Sequence, residues 1–179
     1  MADPHLISIV GHKDAGKTTL LVAMARTFVR QGLKVATLKH GHHPAAADRE
    51  GKDTWRHFNE AGAEQVLIES PGARVLFERP EEQSDPFTLA RTYLAGADFI
   101  FVEGFKGFPL PKIEAHRQGL GKPPLAARPD DYPGTFVALV TDDRETKVAC
   151  PVFRFTDTSW LQALLGIARN SAMRLSDAP

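Results

Sequence analysis

Cysteine occurs once, at Cys150, in 179 residues, which excludes an internal disulfide framework and any zinc cage built on cysteine. Neither charge is in excess. Lys and Arg number 22, as do Asp and Glu, so there is no global basic field to hold nucleic acid or an anionic membrane. Apolar runs stop at six residues, far short of the ~20 that a membrane-spanning helix needs. The opening Met-Ala-Asp-Pro-His has neither the basic start nor the long apolar core of a signal peptide, so the expectation is a cytoplasmic protein. What is present is ordinary: 42% hydrophobic and 25% charged residues, enough to bury a core and too apolar for disorder. One domain over 1–170 is expected, followed by a flexible tail at 171–179.

The first apolar run, 6–10, is short and β-branched and predicts a buried strand. It enters Gly11-His-Lys-Asp-Ala-Gly-Lys-Thr18, after which Leu20, Leu21, Met24, Phe28 and Val29 recur at helical spacing up to Gly32. A second strand is expected over 33–38. Strand, loop, helix and strand in this order begin a parallel α/β sheet. Trp55, Phe58 and Ala61 predict a short helix ending at Gly62. Two strand-like runs around Pro71-Gly72 predict a protruding β-hairpin at about 65–79. Asp85-Pro86 is an N-cap and first-turn proline for a helix through Leu94. Further strands are expected over 99–102, 136–140 and 152–155. Segment 117–134, rich in Gly and Pro, predicts a long surface loop, and Asp157 a cap for a final amphipathic helix.

Gly11-x-x-x-x-Gly16-Lys17-Thr18 matches the P-loop pattern. Glycines let backbone N–H groups wrap a phosphate, the following helix adds its positive end, lysine reaches the β- and γ-oxygens, and the Thr hydroxyl ligates Mg²⁺. The nucleotide-binding residues expected are therefore Gly11, His12, Lys13, Asp14, Ala15, Gly16, Lys17, Thr18 and Thr19. A P-loop also needs an acid at the end of another core strand. Glu103, at the C-terminal end of the 99–102 strand, fits that role, whereas Asp98 lies at the opposite end. Asp53 is a further metal candidate, with helix capping as its alternative role. Metal binding is thus expected at Thr18, Asp53 and Glu103, and catalysis at Lys17 and Glu103. No strong catalytic base stands out.

Lys39-His-Gly-His-His43 ends the second strand at the same sheet edge. Phosphate or substrate contact by Lys39 and His40 is one reading, metal binding by His40, His42 and His43 another, and a plain solvated loop the third. From Glu103 to Arg128 five basic residues face two acids, which places Lys106, Lys112 and Arg117 as candidates for an anionic ligand or as a solvated basic face. Without interleaved aromatics, nucleic-acid recognition is not expected.

Several stretches together resemble the molybdopterin-guanine dinucleotide biosynthesis protein B (MobB) family. They are Gly-His-Lys-Asp-Ala-Gly-Lys-Thr-Thr-Leu (11–20), Lys-His-Gly-His-His (39–43), Gly-Lys-Asp-Thr-Trp-Arg (51–56), Ala-Gly-Ala (61–63), Val-Glu-Gly-Phe-Lys (102–106) and Pro-Lys-Ile-Glu-x-x-Arg (111–117). The resemblance implies an α/β P-loop NTPase fold with a mostly parallel central sheet flanked by helices. It implies a protein that binds GTP and Mg²⁺ with weak hydrolysis and dimerises partly through the hairpin. Such a protein assists a MobA-like guanylyltransferase that attaches GMP to the molybdenum-bearing pterin. Lys39, His40, Lys106, Lys112 and Arg117 would face molybdopterin, its dinucleotide or the partner. The related class often carries a second P-loop lysine directly after the first glycine; here His12 stands there and the lysine is Lys13. The guanine-reading Asn-Lys-x-Asp motif is absent, and Asp142 or Asp143 is the candidate for that contact. A small-molecule kinase or ligase, and a metallochaperone GTPase using the histidine loop, are the alternative readings.

Overall fold

The computed structural model describes residues 3–41, 48–80, 82–155 and 160–179. In chain order the elements are β1 (His5–Val10), α1 (Lys17–Arg30), β2 (Val35–Lys39), the single turn α2 (Asp53–Trp55), β3 (Gln65–Ser70), β4 (Ala73–Glu78), α3 (Pro86–Tyr93), β5 (Phe99–Glu103), β6 (Lys112–His116), β7 (Phe136–Thr141), β8 (Val152–Arg154), α4 (Trp160–Ser171) and β9 (Met173–Arg174). Where one domain with a protrusion is expected from sequence, the chain divides into two compact units. One holds the described residues up to His40 and from Asp85 onward, the other those from Gly41 to Ser84.

In the larger unit the strands lie in the order β2-β5-β1-β6-β7-β8, every neighbouring pair parallel. Strands buried on both faces suit such a sheet, and β1 and β5 supply them. Ile7, Ile9, Phe99 and Phe101 point to one face, where Leu20, Leu21, Met24 and Phe28 of α1 and Leu164, Leu165 and Ala168 of α4 cover them. Leu6, Ile100 and Val102 point to the other, under Phe87 and Ala90 of α3. Phe28 meets Phe99 edge-on with ring centroids 4.8 Å apart, a favoured aromatic geometry. Asp85 caps α3, its carboxylate accepting from the Phe87 and Thr88 amides at 2.8 and 2.9 Å. Asp157, expected to cap α4, lies outside the described residues.

The structure departs from the sequence expectations at two points. Residues 171–179 are not a free tail: β9 pairs antiparallel with β1, Leu175 is buried, and Arg91 donates to the Ala178 carbonyl at 3.0 Å. The other concerns β6, absent from the sequence reading yet lying between β1 and β7 with all five residues buried. Its Lys-Ile-Glu-Ala-His alternation resembles a half-solvated strand, but both of its faces are covered.

The smaller unit contains α2, which continues into a wider π-type turn over Arg56–Glu60, and the hairpin β3–β4. Register pairs Leu67 with Leu76 and Ile68 with Val75 across the two strands. Leu67, Val75 and Leu76 are 65%, 42% and 41% exposed, so the hairpin presents apolar surface to solvent.

Candidate functional site

Gly11 leaves β1 at φ 140°, and a Cβ there would sit 2.1 Å from the Ala115 carbonyl oxygen of β6. Only glycine fits so close to a neighbouring strand. Ala15 tucks into the core beside Leu20, and Gly16, at φ 94°, opens α1 without any side-chain cap and with no acid in the first turn. The first amides of α1 are thus free of intrahelical partners at the positive end of a fourteen-residue helix. They border a cleft of about 410 Å³ lined by Lys13, Asp14, Gly16, Lys17, Thr18, Thr19, Lys39 and Glu103.

The cations and the acid of this cleft are held by specific contacts. Lys17 Nζ curls back to donate to the His12 carbonyl at 2.7 Å. Burial pushes its ammonium below the ordinary lysine value, and the Glu103 and Asp14 carboxylates pull it back up. Thr18 Oγ1 lies 3.0 and 2.9 Å from the two Glu103 oxygens, and Lys39 Nζ is 3.2 Å from Glu103 Oε1. Register explains the meeting, because Glu103 is the strand partner of both Ile9 and Lys39. Parallel strands ending together bring α1, β2 and β5 to one edge, where open α/β sheets bind ligands.

His40 donates its amide to the Glu103 carbonyl at 3.0 Å, and its ring lies 4.8 Å from that of Phe105. Lys106 Nζ stands 5.7 Å from the Tyr132 ring centre. His12 donates from Nε2 to the Pro123 carbonyl at 3.1 Å, joining the phosphate loop to segment 117–134. Asp53 is the first residue of α2 in the smaller unit, while Lys52 occupies the N-cap position, so Asp53 does not cap that helix. His42 and His43 lie outside the described residues; among those described, no three His, Cys, Asp or Glu side chains gather into a metal cage.

Lys112 is a correction. It is fully buried, and its ammonium donates to the carbonyls of Phe108, Leu110 and Pro133, so it offers nothing to a pterin or a partner surface. Burial pushes it down to about 8. Its neighbours on the same face of β6 behave alike. Glu114 accepts from the Leu125 and Ala126 amides at 2.7 and 2.8 Å, burial pushing its carboxyl up against those two bonds. His116 Nε2 donates to the Lys122 carbonyl at 2.9 Å, and Nδ1 lies 2.8 Å from Thr141 Oγ1. Sequence reasoning passed over Glu114 and His116. The signal for them was the period-two placing of Lys, Glu and His on one strand face, which pins the long loop from beneath.

Arg117 and Asp142 form a third group. Arg117 Nη1 is 3.3 Å from Asp142 Oδ2, and the Gln118 amide donates to Asp142 Oδ1 at 2.9 Å. Asp143, the other guanine-reading candidate, instead holds a local turn through the Glu145 amide and the Thr146 hydroxyl.

A parallel sheet whose first strand runs through a glycine loop into a helix, with lysine and threonine at the helix start and an acid one strand away, defines a P-loop α/β protein. Comparison narrows the class. Residues 6–142 match the family model "Molybdopterin guanine dinucleotide synthesis protein B", and the chain belongs to that family, MobB. It is 37% identical over 119 residues to the molybdopterin-guanine dinucleotide biosynthesis adapter protein of Haemophilus influenzae, covering 66% of each chain. With the adapter protein of Escherichia coli it shares 33% over 122 residues, 66% of this chain and 69% of that one. The matched part therefore spans about two thirds of these relatives. Among solved structures, a molybdopterin-guanine biosynthesis protein B superposes with a TM-score of 0.69 at 27% identity over 92% of this chain and 97% of that one. A MobB homologue from Bacillus stearothermophilus gives 0.68 at 24% identity, covering 92% and 98%, a likeness of fold.

Proposed function

We propose that the protein is a GTP-binding adapter in molybdopterin-guanine dinucleotide synthesis, acting in the cytoplasm as a homodimer beside a MobA-like guanylyltransferase. The observation that carries the nucleotide part is the Thr18–Glu103 oxygen pair at the mouth of the uncapped α1 terminus. A hydroxyl and a carboxylate are the hard oxygen donors that Mg²⁺ takes while keeping several waters, so the donor set fits that ion. Lys17 would exchange the His12 carbonyl for phosphate oxygens, and the α1 amides would cradle the phosphates. Bound Mg²⁺ supplies charge neutralisation between phosphate oxygens.

Glu103 is already engaged by Thr18 and Lys39 and serves the metal in this reading rather than an attacking water, which supports hydrolysis that is slow at most. Lys39, His40 and Lys106 are the residues for the pterin or the guanylyltransferase, and the apolar hairpin surface of Leu67 and Leu76 is the surface for a second copy. Equilibrium titration with GTP and ATP plus Mg²⁺ tests the reading, beside Lys17→Ala. Preference for GTP that the substitution abolishes is the expected result. Equal affinity, or preference for ATP, would move the kinase reading forward.

A further inference from the structure

The phosphate loop leaves β1 at Val10 and Gly11, and its root rests on one stretch of the long segment after β6. Val10 packs with Leu125 and Ala126 in a small buried cluster. Two residues further on, the His12 ring donates to the Pro123 carbonyl at 3.1 Å. Residues 122–126 are in turn seated on β6 from beneath. The buried Glu114 accepts from the Leu125 and Ala126 amides. The buried His116, braced on Thr141 of β7, donates to the Lys122 carbonyl. Lifting the stretch would strip a buried carboxylate of both amides, which carries the full desolvation cost, so these contacts hold or fail together.

His12 also faces the phosphate side. Its carbonyl accepts from Lys17 Nζ at 2.7 Å and from the Ala15 amide at 3.3 Å. One residue thus holds the 122–126 stretch by its ring and, by its carbonyl, the ammonium that a phosphate would claim.

We infer that residues 122–126 clasp the root of the phosphate loop through His12, and that phosphate in the loop and the seated clasp stabilise each other. The inference rests on the nucleotide-binding reading and adds to it a regulation, in which occupancy of the loop sets a segment elsewhere on the surface. His12 is then a positioning residue, its ring acting on phosphate only through the loop's backbone.

A phosphate loop binds by aiming several backbone amides at once. Affinity therefore rises as less of the loop must be ordered on binding. A clasp with partners on β1, β6 and β7 supplies that order in advance. Coupling between two binding equilibria is reciprocal, so a ligand that needs the ordered loop must tighten the clasp in return. Leu125 and Ala126 are buried while Lys122 and Pro123 stay exposed, so a stretch fixed from beneath still shows one edge to solvent.

The test pairs calorimetric titration of the full chain with amide hydrogen exchange, using inorganic tripolyphosphate and Mg²⁺ as the probe. Tripolyphosphate carries no base and reports on the loop alone. In wild type, saturating probe should slow exchange at Leu125 and Ala126 by roughly three- to tenfold, the scale of one net hydrogen bond. His12→Ala should weaken the probe by a similar factor and abolish that slowing. His12→Gln keeps a terminal N–H donor and should retain both. Glu114→Gln should also weaken the probe, although Glu114 lies beneath the segment and not in the cleft. Combined with His12→Ala, it should lose less than the product of the two single losses, because both act through one clasp. Wild-type exchange in β1 shows that each variant is folded.

Probe binding that leaves Leu125 and Ala126 unchanged in wild type would overturn the clasp. So would full affinity in His12→Ala, a glutamine variant no better than the alanine one, or single losses that multiply in the double variant. In each of those cases, binding that Lys17→Ala abolishes leaves the nucleotide-binding reading standing. A wild type that binds neither tripolyphosphate nor GTP overturns both.

Discussion

Thr18 and Glu103, 85 residues apart in sequence, meet with the threonine hydroxyl 3.0 and 2.9 Å from the two carboxylate oxygens. The hydroxyl begins α1 and the carboxylate ends β5, and the parallel register of β1 with β5 holds them at one height. Glu103→Gln keeps the shape and removes the charge. GTP titrations with and without Mg²⁺ should show the metal-dependent part of the affinity falling by roughly tenfold or more, the scale of a charged hydrogen bond. Affinity without Mg²⁺ should hold or rise, since Lys39 is freed. Equal loss in both conditions would mean that Glu103 does not serve the metal.

Gly11→Ala should be among the most destabilising small substitutions. It combines left-handed backbone at φ 140° with a Cβ 2.1 Å from the Ala115 oxygen. A loss of more than about 2 kcal/mol is expected in urea unfolding. Near-wild-type stability would mean that β1 and β6 separate easily at this point.

Lys112 links the fold to pH. Buried, its ammonium has a value of about 8 against 10.5 for the free side chain. Between those values the unfolded chain keeps a proton that the folded chain has released, so this group's contribution to stability rises as pH climbs from about 8 to about 10.5. Below pH 8 the full charge-burial penalty is present and the contribution is flat. Unfolding free energies of wild type and Lys112→Met between pH 7 and 10 should differ in slope, wild type gaining relative to the variant. Parallel curves would contradict the assignment.

Glu114→Gln can satisfy only one of the Leu125 and Ala126 amides, since its NH₂ group faces the other donor. A destabilisation of about 1–3 kcal/mol is expected. Hydrogen exchange should speed up at Leu125 and Ala126 more than in β1. Uniform change across the sheet would mean that Glu114 does not pin the loop locally.

Leu67→Lys together with Leu76→Lys places charge on exposed apolar positions paired across the hairpin. Sedimentation should show the proposed homodimer for wild type and a monomer for the double variant, with far-ultraviolet circular dichroism unchanged. A dimer surviving the double change would move the interface elsewhere.

Much of this protein was legible locally. The phosphate loop, the α1 helix behind it, the Pro71-Gly72 hairpin and the Asp85 cap are each specified within a few residues by backbone preference and spacing. The pairing of Glu103 with the loop followed from its place at a strand's end. The family resemblance turns Lys112 toward a ligand, and a basic stretch taken alone suggests a solvated face; which way the side chain points depends on whether residues 108–110 and 133 arrive to offer carbonyls, and nothing near it in sequence reports that.

By itself, then, the sequence determined the elements whose cause is short-range, namely a glycine that must turn, a helix that starts at Lys17 and apolar strands buried on both faces. Tertiary structure alone decided that β6 runs through the middle of the sheet, that its Lys112, Glu114 and His116 turn inward to hold a loop, that β9 pairs with β1, and that Arg117 meets Asp142 beside Gly16. The physical reason is common to all four. A polar side chain is buried only when partners from distant segments satisfy it, and a strand edge is occupied only by whichever segment reaches it, so both outcomes depend on the whole chain being folded.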